Sequence, residues 1–277
     1  MVRSLWSAAT GMNSQQVNVD TIANNLANVN TVGYKSQVAQ FKTLLYQTLQ
    51  TPTTTANGDP KPTSSQVGLG VRPSSINNIF TQGSLLSSQS SSALAIEGSG
   101  FFAFRGVDGN PVYTRNGDFT WALGANGAMM LTNSDGLPVL STTGQPITLQ
   151  GTGGANTIIA TRITIDATGR ILYPNAENVD TPTGFTVGLW QFNNPGGLER
   201  QGSSLYGATP ASGPALNEAT NNNVRPSKIA QGYLEGSNVY VADEMVNLIV
   251  AQRAYEMNSK AITTSDEMMQ TANNLKR

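Results

Sequence analysis

Three places in the chain carry residue types whose spacing could do chemistry. Gly98-Ser99-Gly100-Phe101-Phe102-Ala103 has the two glycines and small residue of a dinucleotide-binding turn, a device that works only where a helix N-terminus comes next to hold the phosphates. The residues after Gly100 are Phe-Phe-Ala-Phe, a strand-forming run, so the glycines read as a bend between strands. Asp108-Gly109-Asn110 starts like a calcium loop, but the remaining ligands and the closing glutamate are missing, and the tripeptide reads as a turn. Asp118, Asp135 and Asp166 are isolated carboxylates that only a fold can bring into an acid–base pair of the glycosidase kind. The chain has no histidine and no cysteine. Ser-His-Asp triads, thiol nucleophiles, disulfides and metal sites built on imidazole or thiolate are therefore excluded. No catalytic residue, cofactor or metal is assigned, and a secreted glycan hydrolase stays as a distant competitor that predicts a carboxylate pair in a cleft.

Composition narrows the partners. Only 12% of the 277 residues are charged, about half the share of an average soluble domain at roughly 25%. With a net charge of −1 and no cluster of Lys or Arg, the chain lacks the cooperating cations that nucleic acid requires. No stretch approaches the ~20 apolar residues that span a bilayer, so the protein is not expected to be membrane-integral. The start, MVRSLWSAATGMNSQQ, has no apolar core of the secretory kind, which argues against a cleavable signal.

The elements that must position everything else lie at the two ends. Leu5, Met12, Val19 and Leu26 recur every seven residues, with Ala8, Ile22 and Val29 in the alternate row and Gln15 as its polar exception. This spacing predicts one amphipathic helix from Leu5 to Val29 with a coiled-coil seam, Ser4 as N-cap and Gly33 as stop signal. At the other end Val241, Leu248, Tyr255, Ile262 and Met269 again fall seven apart, helped by Met245 and Ile249. The alternate row after Met245 is polar: Gln252, Ser259, Asp266 and Asn273. Each fully buried large apolar residue contributes ~1.5–3 kcal/mol, whereas ordering the backbone costs ~1–2 kcal/mol per residue, so such thin seams need partners. Ordinary amphipathic helices that cover the chain's own sheet would show the same period.

Between the ends the fold class is read as α+β: terminal helices forming a coiled-coil stem around a mostly antiparallel β middle domain, with an extended linker. The boundaries are 1–45 for the N-terminal helical segment, 46–75 for a Pro/Thr/Ser-rich linker, 76–214 for the β domain, 215–240 for a return linker and 241–277 for the C-terminal helix. Phe102 with Phe104, Phe119 with Trp121, Ile163 with Ile165, and Phe185 with Val187 and Leu189 alternate at period two. Asp108-Gly109, Asn116-Gly117, Asn126-Gly127 and Asp135-Gly136 lie between such runs and suit hairpin turns.

One local feature runs against propensity. ANNLANVN, residues 23–30, places four Asn at the end of an apolar helix although Asn is a poor helix former. Either these residues fray a surface end, or Asn24, Asn25 and Asn28 make side-chain hydrogen bonds to adjoining helices and fix their register. The second reading is favoured.

At these residues the chain resembles the flagellar rod and hook family. IANNLANVNTVGYK (22–35) looks like that family's N-terminal signature, and GYLEGSNVYVADEMVNLIVAQRAYEMNSKAITTSDEMM (232–269) looks like its C-terminal helix and the approach to it. VGLGVRP (67–73), FTQGSL (80–85), EGSGFF (97–102) and YTRNGDF (113–119) agree in the middle. LLYQT (44–48), QVGLGVR (66–72) and RSLWSAATGM (3–12) resemble the distal-rod branch, with a proximal-rod or hook subunit as the other reading. Ala93 and Tyr240 depart from the pattern, Tyr240 standing where an Asn would cap the last helix, and residues 150–161 look like an insertion. The resemblance implies a non-catalytic axial subunit of the basal-body rod across the periplasm, exported unfolded by the flagellar type III export apparatus and added beneath a rod cap. It implies a helical tube that transmits torque and encloses the export channel. Partners implied are further copies of the chain, proximal rod proteins, hook subunits and the bushing rings of the outer envelope, with residues 49–67 bracing neighbouring subunits. The interaction residues expected are Leu5, Met12, Val19, Ile22, Asn24, Asn25, Leu26, Asn28 and Val29 at one end and Val241, Met245, Leu248, Tyr255, Ile262 and Met269 at the other.

Overall fold

A computed structural model describes residues 2–50, 65–106, 108–124, 127–149, 158–175, 179–221 and 223–275. Helix α1 (Val2–Ala27) opens the chain. It already runs through Ser4, so that residue is not its cap, and it stops before Val29. Three residues of poor propensity, Asn28, Val29 and Asn30, form a turn there, closed by the Thr31 N–H donating to the Asn28 carbonyl at 3.1 Å. Gly33 acts later than a stop signal would. Its φ of +68° suits glycine, and a Cβ on it would stand 2.5 Å from the Asn116 nitrogen.

The chain divides into two compact units, Met1–Ala27 with Gln37–Asn78 and Tyr240–Arg277, and Asn28–Ser36 with Ile79–Val239. In the first, strands β1 (Gln37–Thr43), β2 (Tyr46–Gln50), β3 (Ser65–Gly68) and β4 (Val71–Asn78) form two antiparallel ladders, β1 with β4 and β2 with β3. The described residues at the two ends of the stretch expected to be a linker, 46–75, are thus paired strands. Its composition bars a helix but not a strand, since Thr favours β structure and Pro73 sits opposite Phe41, beside a register shift in a two-stranded ladder where a missing N–H is tolerated. Residues 51–64, with Pro52, Pro60 and Pro62, lie outside the described residues.

The second unit is built from short strands: β5 (Leu85–Ser87), β6 (Leu94–Glu97), β7 (Phe101–Arg105), β8 (Pro111–Thr114), β9 (Thr120–Leu123), β10 (Met129–Thr132), β11 (Thr148–Leu149), β12 (Thr164–Ile165), β13 (Arg170–Pro174), β14 (Asp180–Thr186), β15 (Leu189–Gln191), β16 (Glu199–Gly202), β17 (Leu205–Gly207), β18 (Leu216–Asn217), β19 (Lys228–Gln231) and β20 (Tyr233–Glu235). All their pairings are antiparallel, and the largest sheet has the order β16-β17-β8-β7-β15-β18. Strand β7 shows why the sheet is covered on both faces. Phe102 and Phe104 enter one apolar cluster with Phe119, Leu131 and Ile171, while Phe101 and Ala103 enter another with Tyr113, Trp190 and Tyr206. The 215–240 stretch, expected as a return linker, instead supplies β18, β19 and β20. Runs of two to four residues are too short for period two to register.

The tested motifs settle as turns and bends. Gly98, at φ +136°, leads into strand β7 rather than a helix, and a Cβ there would lie 2.5 Å from Ser227 Oγ. Gly109 and Gly136 take φ of +79° in their turns and Gly127 takes +70°, while Asn126 lies outside the described residues. The Asp166 carboxylate accepts from Ala167 N–H and Thr168 Oγ1 within its own turn, and Asp135 accepts from Asn133.

The chain ends in helix α2 (Val241–Asn274), part of the first unit. Tyr240 caps it with no side-chain hydrogen bond, as its residue type implies, and Asp243 and Glu244 occupy the first turn, where the helix dipole favours acids. No helix among the described residues is long and apolar enough to cross a membrane.

Candidate assembly site

Helices α1 and α2 pack antiparallel within the first unit. The Asn25 side-chain amide donates to Glu244 Oε1 at 3.0 Å, and a Cβ on Gly11 would come within 2.8 Å of Asn258 Nδ2. Moving from the first contact to the second runs backward along α1 and forward along α2 by equal lengths, about 21 Å at 1.5 Å per residue. Small residues are among those buried on the pair: Ala8 and Ser14 on α1, Ala251 and Ser265 on α2.

Ile22 is buried, and Leu5, Met12, Val19, Leu26, Leu248, Ile262 and Met269 are half-buried. On α2, Ala251 and Ser265 are buried and Glu244, Asn258 and Ser259 half-buried, whereas Met245, Gln252 and Asp266 of the expected alternate row are exposed. Val241, Met245 and Tyr255 are exposed on the isolated chain, and Val29 lies in the turn beyond α1. Large apolar residues drew the expected row, whereas close helix approach selects small ones.

Asn25 is the most enclosed of the expected polar residues, at 1% exposure. Its Nδ2 donates to the Gln37 carbonyl and its Oδ1 accepts from the Gln37 N–H, both at 2.8 Å. The amide thus imitates a paired strand at the start of β1 while its second hydrogen reaches α2, tying three elements of one unit. Asn28 Oδ1 accepts from Thr31 Oγ1 at 3.1 Å in the turn, and Asn24 is on the surface. Replacement of Asn25 by Ala leaves a buried N–H and carbonyl without these partners, a loss of about 1–3 kcal/mol. The Asn25→Ala chain is expected to melt a few degrees lower by circular dichroism at 222 nm, with faster hydrogen exchange at Gln37.

Opposite the packed face, α2 carries Val246, Ile249, Val250 and Met257 in one exposed apolar stripe, each more than half exposed, and α1 exposes Trp6. Four large apolar groups at helical spacing on a solvent face form a surface that asks for a partner.

The second unit holds a polar cluster that sequence reasoning missed. Lys35 and Glu235 are fully buried and Arg115 is 2% exposed. Lys35 Nζ donates to Glu235 Oε1 at 2.6 Å and to the Thr81 carbonyl at 2.7 Å. Arg115 donates to Glu235 Oε2 at 3.3 Å and to the Gly98 carbonyl at 2.6 Å, with its guanidinium over the Phe101 ring. Gly83 N–H is the third donor to the carboxylate, reaching Glu235 Oε1 at 3.0 Å. Nearby, Asn238 accepts from Ser36 N–H at 2.7 Å and donates to the Ile79 carbonyl and Thr81 Oγ1. The available signal was three charges in a weakly charged chain, one each in the strings GYK, YTRN and LEGSN.

Burial sets the titration of this unit. It pushes the phenols of Tyr113 and Tyr206 above their ordinary value of 10. It also lowers Lys35 from 10.5, against the pull of Glu235. The two phenols keep their protons in the folded chain beyond the pH at which the unfolded chain releases them. Their contribution to stability is whole below pH 10 and lost as pH rises through the raised values. Lys35 acts in the opposite sense up to its unfolded value. Tyrosinate absorbance at 295 nm is expected to gain a final increment together with loss of the β signal, and a Tyr113→Phe, Tyr206→Phe chain is expected to lack that increment.

Three segments match families of known description. Residues 5–35 match "Flagella basal body rod protein", 95–173 match "Flagellar hook protein FlgE/F/G D1 domain", and 230–275 match "Flagellar basal body rod FlgEFG protein C-terminal". The chain is 41% identical over 279 residues to the flagellar basal-body rod protein FlgG of Borreliella burgdorferi and 36% identical over 277 residues to that of Bacillus subtilis, covering 100% of both chains in each case. It is 30% identical over 282 residues to the flagellar hook-basal body complex protein FlhP of Bacillus subtilis, again over 100% of both chains. A solved flagellar hook protein, FlgE2 of Helicobacter pylori, matches 65% of this chain and 47% of its own at 14% identity and a TM-score of 0.23, too slight to bear on the fold.

Proposed function

Because the chain belongs to the flagellar basal-body rod protein FlgG family and is a structural subunit of the flagellar rod, we propose that it polymerises, through its terminal helices, into the distal segment of that rod. The observation that carries this reading is the exposed stripe of Val246, Ile249, Val250 and Met257 on α2, set on a helix pair whose buried residues include the small Ala8, Ser14, Ala251 and Ser265. The helix pair acts as a coiled-coil stem completed by neighbouring copies. Leu5, Met12, Val19, Leu26, Val241, Met245, Tyr255 and Met269, exposed or half-buried in one chain, become covered on assembly. A contact of this kind joins two different faces and does not close, which generates a helical filament.

In this reading the helices line the export channel, giving a stiff tube that transmits torque from motor to hook. Residues 49–67 brace neighbouring copies, and the chain itself arrives unfolded through the type III export apparatus. Its partners are further copies, proximal rod proteins, hook subunits and the bushing rings of the outer envelope. Deleting the gene and imaging basal bodies tests the placement. A rod that ends at its proximal segment supports it. A complete rod without a hook assigns the chain elsewhere on the axis.

A further inference from the structure

The second unit is completed by two stretches from opposite ends of the chain, 28–36 and 228–238. Strand β19 pairs with β6, whose Leu94, Ala95 and Ile96 are fully buried, and sends Ile229 into the larger apolar cluster. Gln231 Nε2 donates to the Ser91 and Ile163 carbonyls at 2.6 and 3.1 Å, and its Oε1 accepts from Ile165 N–H at 2.8 Å. Strand β20 pairs with β5 and ends in Glu235, whose carbonyl also accepts from Gly33 N–H at 2.8 Å. One carboxylate from the late stretch therefore holds two cations that belong to earlier segments.

We propose that the 228–238 stretch is a latch, and that the β unit stays open until this stretch arrives. Before then β5 and β6 lack their partner strands. Lys35 and Arg115 lack the carboxylate they hydrogen-bond in the folded unit, and a cation without its bonded partner remains in water rather than enter a core. The β7–β8 hairpin is local in sequence, yet Arg115 directly follows β8 and must be buried for Phe101 to pack beneath it. Closure across such a sequence separation is slow in any case. The buried charges make it obligatory as well. In a chain that arrives unfolded, a condition that rests on the function proposed above, the latch keeps the β unit unfolded until the late stretch is present. Folding in solution tests the latch without that condition.

The test is pulse-labelling hydrogen exchange during refolding of the full chain. The amides of Phe102–Phe104 and Leu94–Ile96 are expected to gain protection in the same phase as Ile229–Gln231 and Gly33. Protection of the β7–β8 amides at least tenfold earlier than Ile229–Gln231 overturns the proposal. A full chain carrying Lys35→Met, Arg115→Met and Glu235→Leu removes the charge condition, and its β7–β8 amides are expected to be protected at least tenfold before the late stretch. A single shared phase in that variant also overturns the latch. If the variant does not fold, the wild-type measurement decides alone.

Discussion

Glu235→Ala is expected to lower the melting temperature of the β unit by roughly 10 °C while leaving α1 and α2 paired. The carboxylate is fully buried and accepts from Lys35, Arg115 and Gly83. Deleting it leaves two buried cations without the carboxylate they bond, and breaking a buried pair in this way costs about 3–5 kcal/mol. In a unit of this size ~1 kcal/mol moves the midpoint by about 2–4 °C. Arg253→Ala is the matched control. It breaks an ion pair of ordinary length, 2.9 Å to Glu256, but the two side chains are 75% and 54% exposed, and such pairs contribute little after solvent screening. Near-UV circular dichroism follows the aromatic cluster of the β unit, and the signal at 222 nm follows the helices. If Glu235→Ala melts within 2 °C of the Arg253→Ala chain, by the same scale, the cluster does not hold the unit together. Glu235→Gln separates charge from shape, since the amide oxygen still accepts from Gly83.

The terminal helices and the β middle were legible because each repeats a simple period over many residues: sevenfold spacing from Leu5 to Leu26 and from Val241 to Met269, and alternation at Phe102 and Phe104. The finer seam on α2 was not, because Ala251 and Ser265 are chosen for size and look neutral to any search for large apolar side chains. The linkers were misjudged for a related reason. Strands such as β19 and β20 have too few residues to show a period, and they are held by β6 and β5, more than a hundred positions away in sequence. Asn25 stands out in the sequence because a poor helix former at a helix end needs a reason. Half of that reason, the two-point bond to Gln37, depends on a chain turn that no spacing encodes. Lys35, Arg115 and Glu235 were the least visible of all. Each is a single charge in its own stretch, and only the fold shows that the three share one site.

The exposed stripe of α2 gives the largest effect expected on assembly itself. Val250→Asp, alone or with Ile249→Asp, is expected to abolish polymerisation and to leave the melting of the monomer unchanged. Both side chains are more than half exposed in the isolated chain, so neither substitution removes a contact from its fold. In a polymer each buried Val or Ile contributes about 1.5–3 kcal/mol, and a tenfold change in an association constant corresponds to about 1.4 kcal/mol. Losing one such side chain therefore raises the critical concentration by roughly ten- to a hundredfold. Placing a carboxylate in the same contact adds the cost of an unpaired buried charge on every subunit. Lys260→Ala, an exposed polar change on the same helix, is expected to polymerise as wild type. Sedimentation across a concentration series, with electron microscopy of the pellet, distinguishes the cases. Rods formed by the Val250→Asp chain at the wild-type critical concentration would show that this face of α2 stays open to water in the assembled tube, and the contact between copies would then have to be sought on the β1–β4 ladder.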